Sequence, residues 1–140
     1  MKRTLAILKP DAVEAGATGR ILAHLEEKGF RLVALRSLRL TVGQARDFYA
    51  VHRERPFYGS LVEFMTSGPV VAVVAEAEDA VARLRQVVGA TDPAEAEDGT
   101  VRALYASSKE RNAIHASDSD ENAAAEISFF FSRSDLLELG

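Results

Sequence analysis

The chain has 140 residues, 47% apolar and 27% charged, an ordinary globular composition long enough for one domain with a real core. A net charge of −4 argues against general nucleic-acid binding, which rests on a surplus of Lys and Arg. A local basic cluster could still hold a small polyanion. Cysteine is absent, which excludes disulfides, thiolate zinc sites and a cysteine nucleophile.

Met1-Lys2-Arg3 leads into a short apolar stretch before Lys9-Pro10, too short for a secretion signal or a membrane span. A cytoplasmic location and no membrane partner are expected. Arg3–Leu8 reads as a strand, and Pro10 pushes Lys9 into extended geometry at its end. Thr18 is placed to cap a helix carrying Ile21, Leu22 and Leu25 and closed by Gly29. Phe30 to Leu40 alternates imperfectly and reads as a second strand. Thr41 with Gln44 forms a capping box for a helix burying Ala45, Phe48 and Tyr49; Ser60 with Glu63 suggests another, leading into Leu61, Phe64 and Met65.

Val70 to Ala75 is an unbroken apolar run, the pattern of a strand covered on both faces or central in its sheet. Asp79 is placed to cap a helix with Val81, Leu84 and Val88 inward and Gly89 as its stop. From Gly89 to Asn112 apolar periodicity fades, and a loop this long in a small domain is usually functional or disordered. Asn112–Ala116 provides a short fourth strand. Ser119, with Asp120 and Glu121 behind it, opens a late helix with an apolar stripe of Ala124, Ile127 and Phe131, and Ser134 caps a last turn. The order gives an α/β fold (an α+β sandwich): ferredoxin-like βαββαβ, a four-stranded antiparallel sheet covered by helices, with a long loop around residues 89–112. Residues 1–140 are expected to form a single domain.

Of the three histidines, His24 lies on a helix and His52 in a charged run, and both read as structural or solvent-facing. His115 sits between the long loop and a helix start, among neighbours that can hold one imidazole tautomer. Spacing alone leaves it open between a structural residue and a nucleophile. Glu126 falls on about the same helix face as Ser119, as a solvated acid or as a carboxylate reaching back toward Ser117 and His115. There is no G-x-x-x-x-G-K-[ST] loop, so any phosphate must be held by side chains. Lys9, Arg85, Thr91 and Arg102 are suitable types, though each alone could be an ordinary surface group. The turn Arg55-Pro56-Phe57-Tyr58 could present an aromatic ring to a base or plug it onto the core.

These segments together resemble the nucleoside diphosphate kinase family, in its short bacterial type. The resemblance runs through R-T-L-A-I-L-K-P-D at Arg3–Asp11, G-F-R-L-V-A-L at Gly29–Leu35, R-P-F-Y at Arg55–Tyr58 and S-G-P-V-V-A at Ser67–Ala72. It continues in G-A-T-D-P-A at Gly89–Ala94, G-T-V-R at Gly99–Arg102 and N-A-I-H-A-S-D-S at Asn112–Ser119, the family's active-site signature.

The resemblance implies a ping-pong transfer of the γ-phosphoryl group from a nucleoside triphosphate, typically ATP, to nucleoside diphosphates of any base, through a phosphohistidine on His115. It further implies that Lys9 meets phosphate and ribose, and that Asn112 meets the ribose hydroxyls. Arg85, Thr91 and Arg102 clamp phosphate oxygens, and Phe57 stacks on the base. Tyr49 packs beside Lys9 and His115, while Glu126, through Ser117, orients the imidazole. Mg2+ is expected to arrive with the nucleotide rather than in a resident metal site, and the chain is expected to form a homo-tetramer or homo-hexamer. Two residues depart from the family pattern: Ala116 stands where glycine is common after the histidine, and Lys109 stands where a small apolar residue often faces the base. The alternative reading is a ferredoxin-like regulatory module that binds a small nucleotide or metabolite without turnover, for which the joint presence of His115, Asn112, Arg102, Arg85 and Lys9 has no use.

Overall fold

Strand β1, Arg3–Leu8, points alternate side chains to opposite faces, and both faces are covered. Ala6 and Leu8 enter one apolar cluster, and Leu5 and Ile7 enter another. The computed structural model describes residues 2–136. The sheet order is β2-β3-β1-β4, with β2 at Arg31–Leu38, β3 at Val70–Glu76 and β4 at Ile114–Ala116, and every pairing is antiparallel. This is the ferredoxin-like order expected of βαββαβ connectivity. Because β3 is central and covered on both sides, its apolar run is continuous rather than alternating.

One face is covered by helix α2, Thr18–Glu27, through Ile21 and Leu25, and by α5, Ala80–Val88, through Leu84 and Val88. The other face is covered by α3, Val42–Phe48, α4, Tyr58–Met65, and α7, Asp120–Phe130. Two short α-helices lie outside these layers among the described residues. Helix α1, Pro10–Glu14, uses proline in its first turn, where the missing N–H costs nothing. Helix α6, Val101–Tyr105, lies inside the segment around residues 89–112 that the sequence presents as one long functional loop.

Several local expectations need correction. Thr41 and Gln44 do form the capping box. Ser60 and Glu63 do not: α4 starts earlier, with Phe57 at the N-cap, so Ser60 lies within the first turn. Thr18 is the first helical residue rather than the cap, which is Ala17. Asp79 stands at the N-cap with φ of 52°, but its carboxylate makes no capping bond. The stripe of α7 runs through Ala123, Ile127 and Phe130, whereas Ala124 is exposed. Ser132, not Ser134, caps the final turn, Arg133–Asp135.

Candidate functional site

The end of β1 and the start of β4 lie side by side, which brings Lys9 and Asn112 to one rim of the sheet. The joint between them is tight. Lys9 donates its backbone N–H to Ala113 O at 2.9 Å, and Ala113 donates to Asp11 Oδ2 at 3.0 Å. Ala113 has φ of 72°, and Ile114 N–H returns to Asn112 O at 2.9 Å. The result is a γ-turn, a strained conformation for a residue other than glycine. It delivers the chain into β4 with His115 opposite Ile7.

His115 Nε2 lies 2.7 Å from Glu126 Oε1. A carboxylate oxygen only accepts, so in the neutral imidazole Nε2 carries the proton and Nδ1 the lone pair. The same Oε1 accepts the Ser117 hydroxyl at 2.8 Å. Glu126 therefore holds the imidazole directly, not by way of Ser117, and Ser117 steadies the carboxylate. The rings of Phe48 and Tyr49 meet His115 edge-on, with centroids 5.4 and 6.3 Å away. The Tyr49 hydroxyl is buried without a hydrogen-bond partner. Burial, and then the charge of Glu126, push its ionisation upward, so it stays neutral.

The cations around this histidine differ in how they are held. Arg102, 6% exposed, donates Nη2 to Ile114 O at 2.7 Å and Nη1 to Gly89 O at 3.0 Å. Burial, then the neighbouring charge of Arg85, lower its ionisation to about 10, so it remains charged at neutral pH. Arg85 donates Nη1 to Ala116 O at 3.2 Å. Lys9 is 7% exposed, and burial, followed by repulsion from Arg102, brings it down to about 8. Asn112 donates Nδ2 to Thr91 O at 3.2 Å, while its Oδ1 is buried without a partner. Buried polar groups left without partners are uncommon away from sites that receive a ligand.

A cleft of about 610 Å³ gathers these groups: Lys9, Tyr49, Phe57, Arg85, Thr91, Arg102, Asn112, His115 and Glu126 all line it. Ser117 stands behind, on Glu126. Ala116 lies in β4 opposite Ala6 and is absent from the residues with positive φ, so its methyl group creates no backbone conflict. Lys109 lines the cleft as well.

The sequence presents His52 as structural or solvent-facing, yet it forms part of the cleft wall. It stacks on Tyr49 at 6.4 Å and meets Phe57 at 5.3 Å. Its charged neighbours in sequence concealed this. The i, i+3 spacing from Tyr49 to His52 was the available signal. Among the described residues no cluster of three or more His, Asp or Glu could hold a metal ion, and no helix is long and apolar enough to cross a membrane.

The chain matches the family model for nucleoside diphosphate kinase over residues 2–136. It is 55% identical over 138 residues to the nucleoside diphosphate kinase of Persephonella marina, covering 99% of both chains. It is 58% identical over 137 residues to that of Chlorobium chlorochromatii, covering 98% of each. Its fold is similar to the crystal structure of the Aquifex aeolicus nucleoside diphosphate kinase, with a TM-score of 0.95, 51% identity, and coverage of 97% and 99% of the two chains. A halophilic nucleoside diphosphate kinase from Halobacterium salinarum, in complex with CDP, matches with a TM-score of 0.94 and 39% identity, over 99% of this chain and 93% of that one. With the family model spanning nearly every residue and relatives above 50% identity end to end, the chain belongs to the nucleoside diphosphate kinase family.

Proposed function

We propose that this chain transfers the terminal phosphoryl group of a nucleoside triphosphate, ATP among them, to nucleoside diphosphates in two half-reactions through His115. The observation that carries the reading is the 2.7 Å contact between His115 Nε2 and Glu126. It fixes the tautomer, leaves Nδ1 as the nucleophile, and sets a carboxylate beside the ring as the ring becomes cationic.

In the first half-reaction Nδ1 bonds to the γ-phosphorus as the bond to the leaving diphosphate oxygen breaks. In the second, a terminal oxygen of the acceptor diphosphate attacks phosphorus and Nδ1 leaves. One cleft serves both, because donor and acceptor present the same groups to it. Charge spreads over the phosphoryl oxygens during transfer, and Arg85, Arg102, Thr91 and Lys9 supply cations and a hydroxyl there. Lys9 and Asn112 also take the ribose hydroxyls. Tyr49 walls the imidazole. Phe57, 44% exposed, offers its ring to the base, and stacking discriminates little among bases because each has a π-face.

Magnesium suits this cleft as a companion of the nucleotide. The acidic side chains at the cleft are Asp118, Glu110 and Glu126, and Glu126 is occupied by His115 and Ser117. Such a donor set fits an ion held mainly by phosphate oxygens and water, where it offsets phosphate charge. We further propose that the chain works as a single domain in the cytoplasm, as a homo-tetramer or homo-hexamer. The open edge of β2, with Leu35 51% exposed, supports assembly, and sedimentation analysis measures the number of subunits.

Incubation with γ-labelled ATP alone is expected to leave an acid-labile, base-stable label on the protein. The label should move to any added nucleoside diphosphate. Absence of label, or equal labelling of His115→Ala, overturns the mechanism.

A further inference from the structure

The α3–α4 segment and the 107–111 turn flank the same cleft, one carrying Phe57 and the other Lys109. They are joined by one hydrogen bond. Ser60 Oγ lies 2.8 Å from Glu110 Oε2, across 50 positions of sequence. We propose that this pair is a strut across the mouth of the cleft, setting the width of the base slot and so the residence time of the nucleotide. The proposal rests on the reading of Phe57 as the ring that stacks on the base.

The geometry is specific to these two residues. Ser60 sits three positions beyond Phe57, and its hydroxyl also lies 3.0 Å from Phe57 O. The hydroxyl has one proton for these two acceptors, and the carboxylate is both the nearer and the stronger of them. Glu110 follows Lys109 directly and itself lines the cleft. The turn that carries both is closed on itself: Ser107 N–H donates to Arg111 O at 2.9 Å, and Arg111 N–H donates to Ser108 Oγ at 3.0 Å. Lys109 and Glu110 therefore move as one piece. A second contact runs beside the strut, the Arg111 guanidinium over the Phe64 ring at 5.2 Å.

A pull on Glu110 is thus a pull on Lys109, and a pull on Ser60 reaches Phe57. Ser60 is absent from the cleft lining and from every contact made by His115. Losing the strut widens the slot without touching the reacting atoms. An exposed hydroxyl–carboxylate bond is also weak enough to open at each turnover.

The test measures release of a fluorescent nucleoside diphosphate by stopped flow, alongside the rate of single-turnover phosphorylation at saturating ATP. Ser60→Ala is expected to raise the release rate and the dissociation constant about threefold to tenfold, leaving saturated phosphorylation unchanged. Ser60→Thr restores the hydroxyl and should restore residence. Ser60→Ala combined with Glu110→Ala should release no faster than the weaker-binding single variant, because both break one bond. Wild-type release from Ser60→Ala, or strictly additive losses, overturns the strut. Phe57→Ala runs as the control: if it binds as tightly as wild type, the base-slot reading itself falls, whereas weak binding by Phe57→Ala with tight binding by Ser60→Ala removes only the strut.

Discussion

The carboxylate of Asp11 accepts the backbone N–H of Ala113 at 3.0 Å, although the two residues are 102 positions apart. The bond steadies a turn whose φ of 72° alanine adopts only at a cost, two residues before His115. Asp11→Ala leaves that buried N–H unsatisfied and should destabilise the fold by about 1–3 kcal/mol in urea titration. Saturated phosphorylation should slow as well, since the histidine then rides on a turn held to β1 only through Lys9 N–H. Asp11→Asn keeps an acceptor oxygen and should retain most of both.

Glu126 supplies the partner that keeps His115 Nε2 protonated and Nδ1 available. Glu126→Ala removes a charged hydrogen bond of about 1.5–3 kcal/mol, which corresponds to a rate loss of roughly tenfold to a hundredfold. Rapid-quench measurement of phosphohistidine formation checks this. Nucleotide affinity should change little, because the carboxylate acts on the ring and not on the nucleotide. Glu126→Gln keeps an acceptor but loses its charge, and should fall between.

Lys9 makes the apo protein sensitive to alkali in an unusual direction. Its ordinary value of 10.5 falls to about 8 in the fold. Between these values the unfolded chain holds a proton that the folded chain has lost, so this group makes folding more favourable as pH rises from about 8 to about 10.5. Below pH 8 the penalty is fully present. Relative to Lys9→Met, wild-type stability should gain up to about 3 kcal/mol across that window in pH-dependent urea titrations.

Bound phosphates reverse the effect by favouring the ammonium form. Nucleotide binding at pH 8 should therefore take up a fraction of a proton, seen by calorimetry in buffers of different ionisation enthalpy. Lys9→Met should abolish the uptake. Affinity in the wild type should decline as pH climbs beyond 8.

Gly89 ends α5 with φ of 92°, and a Cβ there would meet Thr100 Oγ1 at 2.6 Å. Its carbonyl also accepts from Arg102. Gly89→Ala should lower the thermal midpoint by several degrees, equivalent to a few kcal/mol, and should weaken nucleotide binding through the displaced arginine. A variant with unchanged midpoint and affinity would show that the backbone here yields freely.

The fold was legible where packing imposes a period. The apolar runs of β3 and β1 state that both of their faces are covered, and the Thr41–Gln44 box states where α3 begins. Short elements were not legible. Helix α6 has five residues, two of them buried, too few to express a helical period; only Thr100, capping Ala103 N–H, announced it. The apolar stripe of α7 was misplaced by one residue because alanines run from 123 to 125. The chemistry-bearing residues were readable through resemblance, since Lys9, Arg85 and His115 come from distant segments that meet only when the sheet forms. His52 and the Ser60–Glu110 pair had no such aid, and ordinary polar residues in short helical turns and loops carry no label of their own.

The two carbonyls that hold Arg102 have a consequence for speed. A flexible cation must surrender rotamer freedom each time an anion arrives, a cost of about 0.5–1.5 kcal/mol for a long side chain. Arg102 surrenders it once, when Gly89 and Ile114 receive its guanidinium during folding. In the proposed cycle phosphates enter and leave twice per turnover, so this preorganisation counts in both half-reactions. The fold carries the entropy that the substrates would otherwise have to supply.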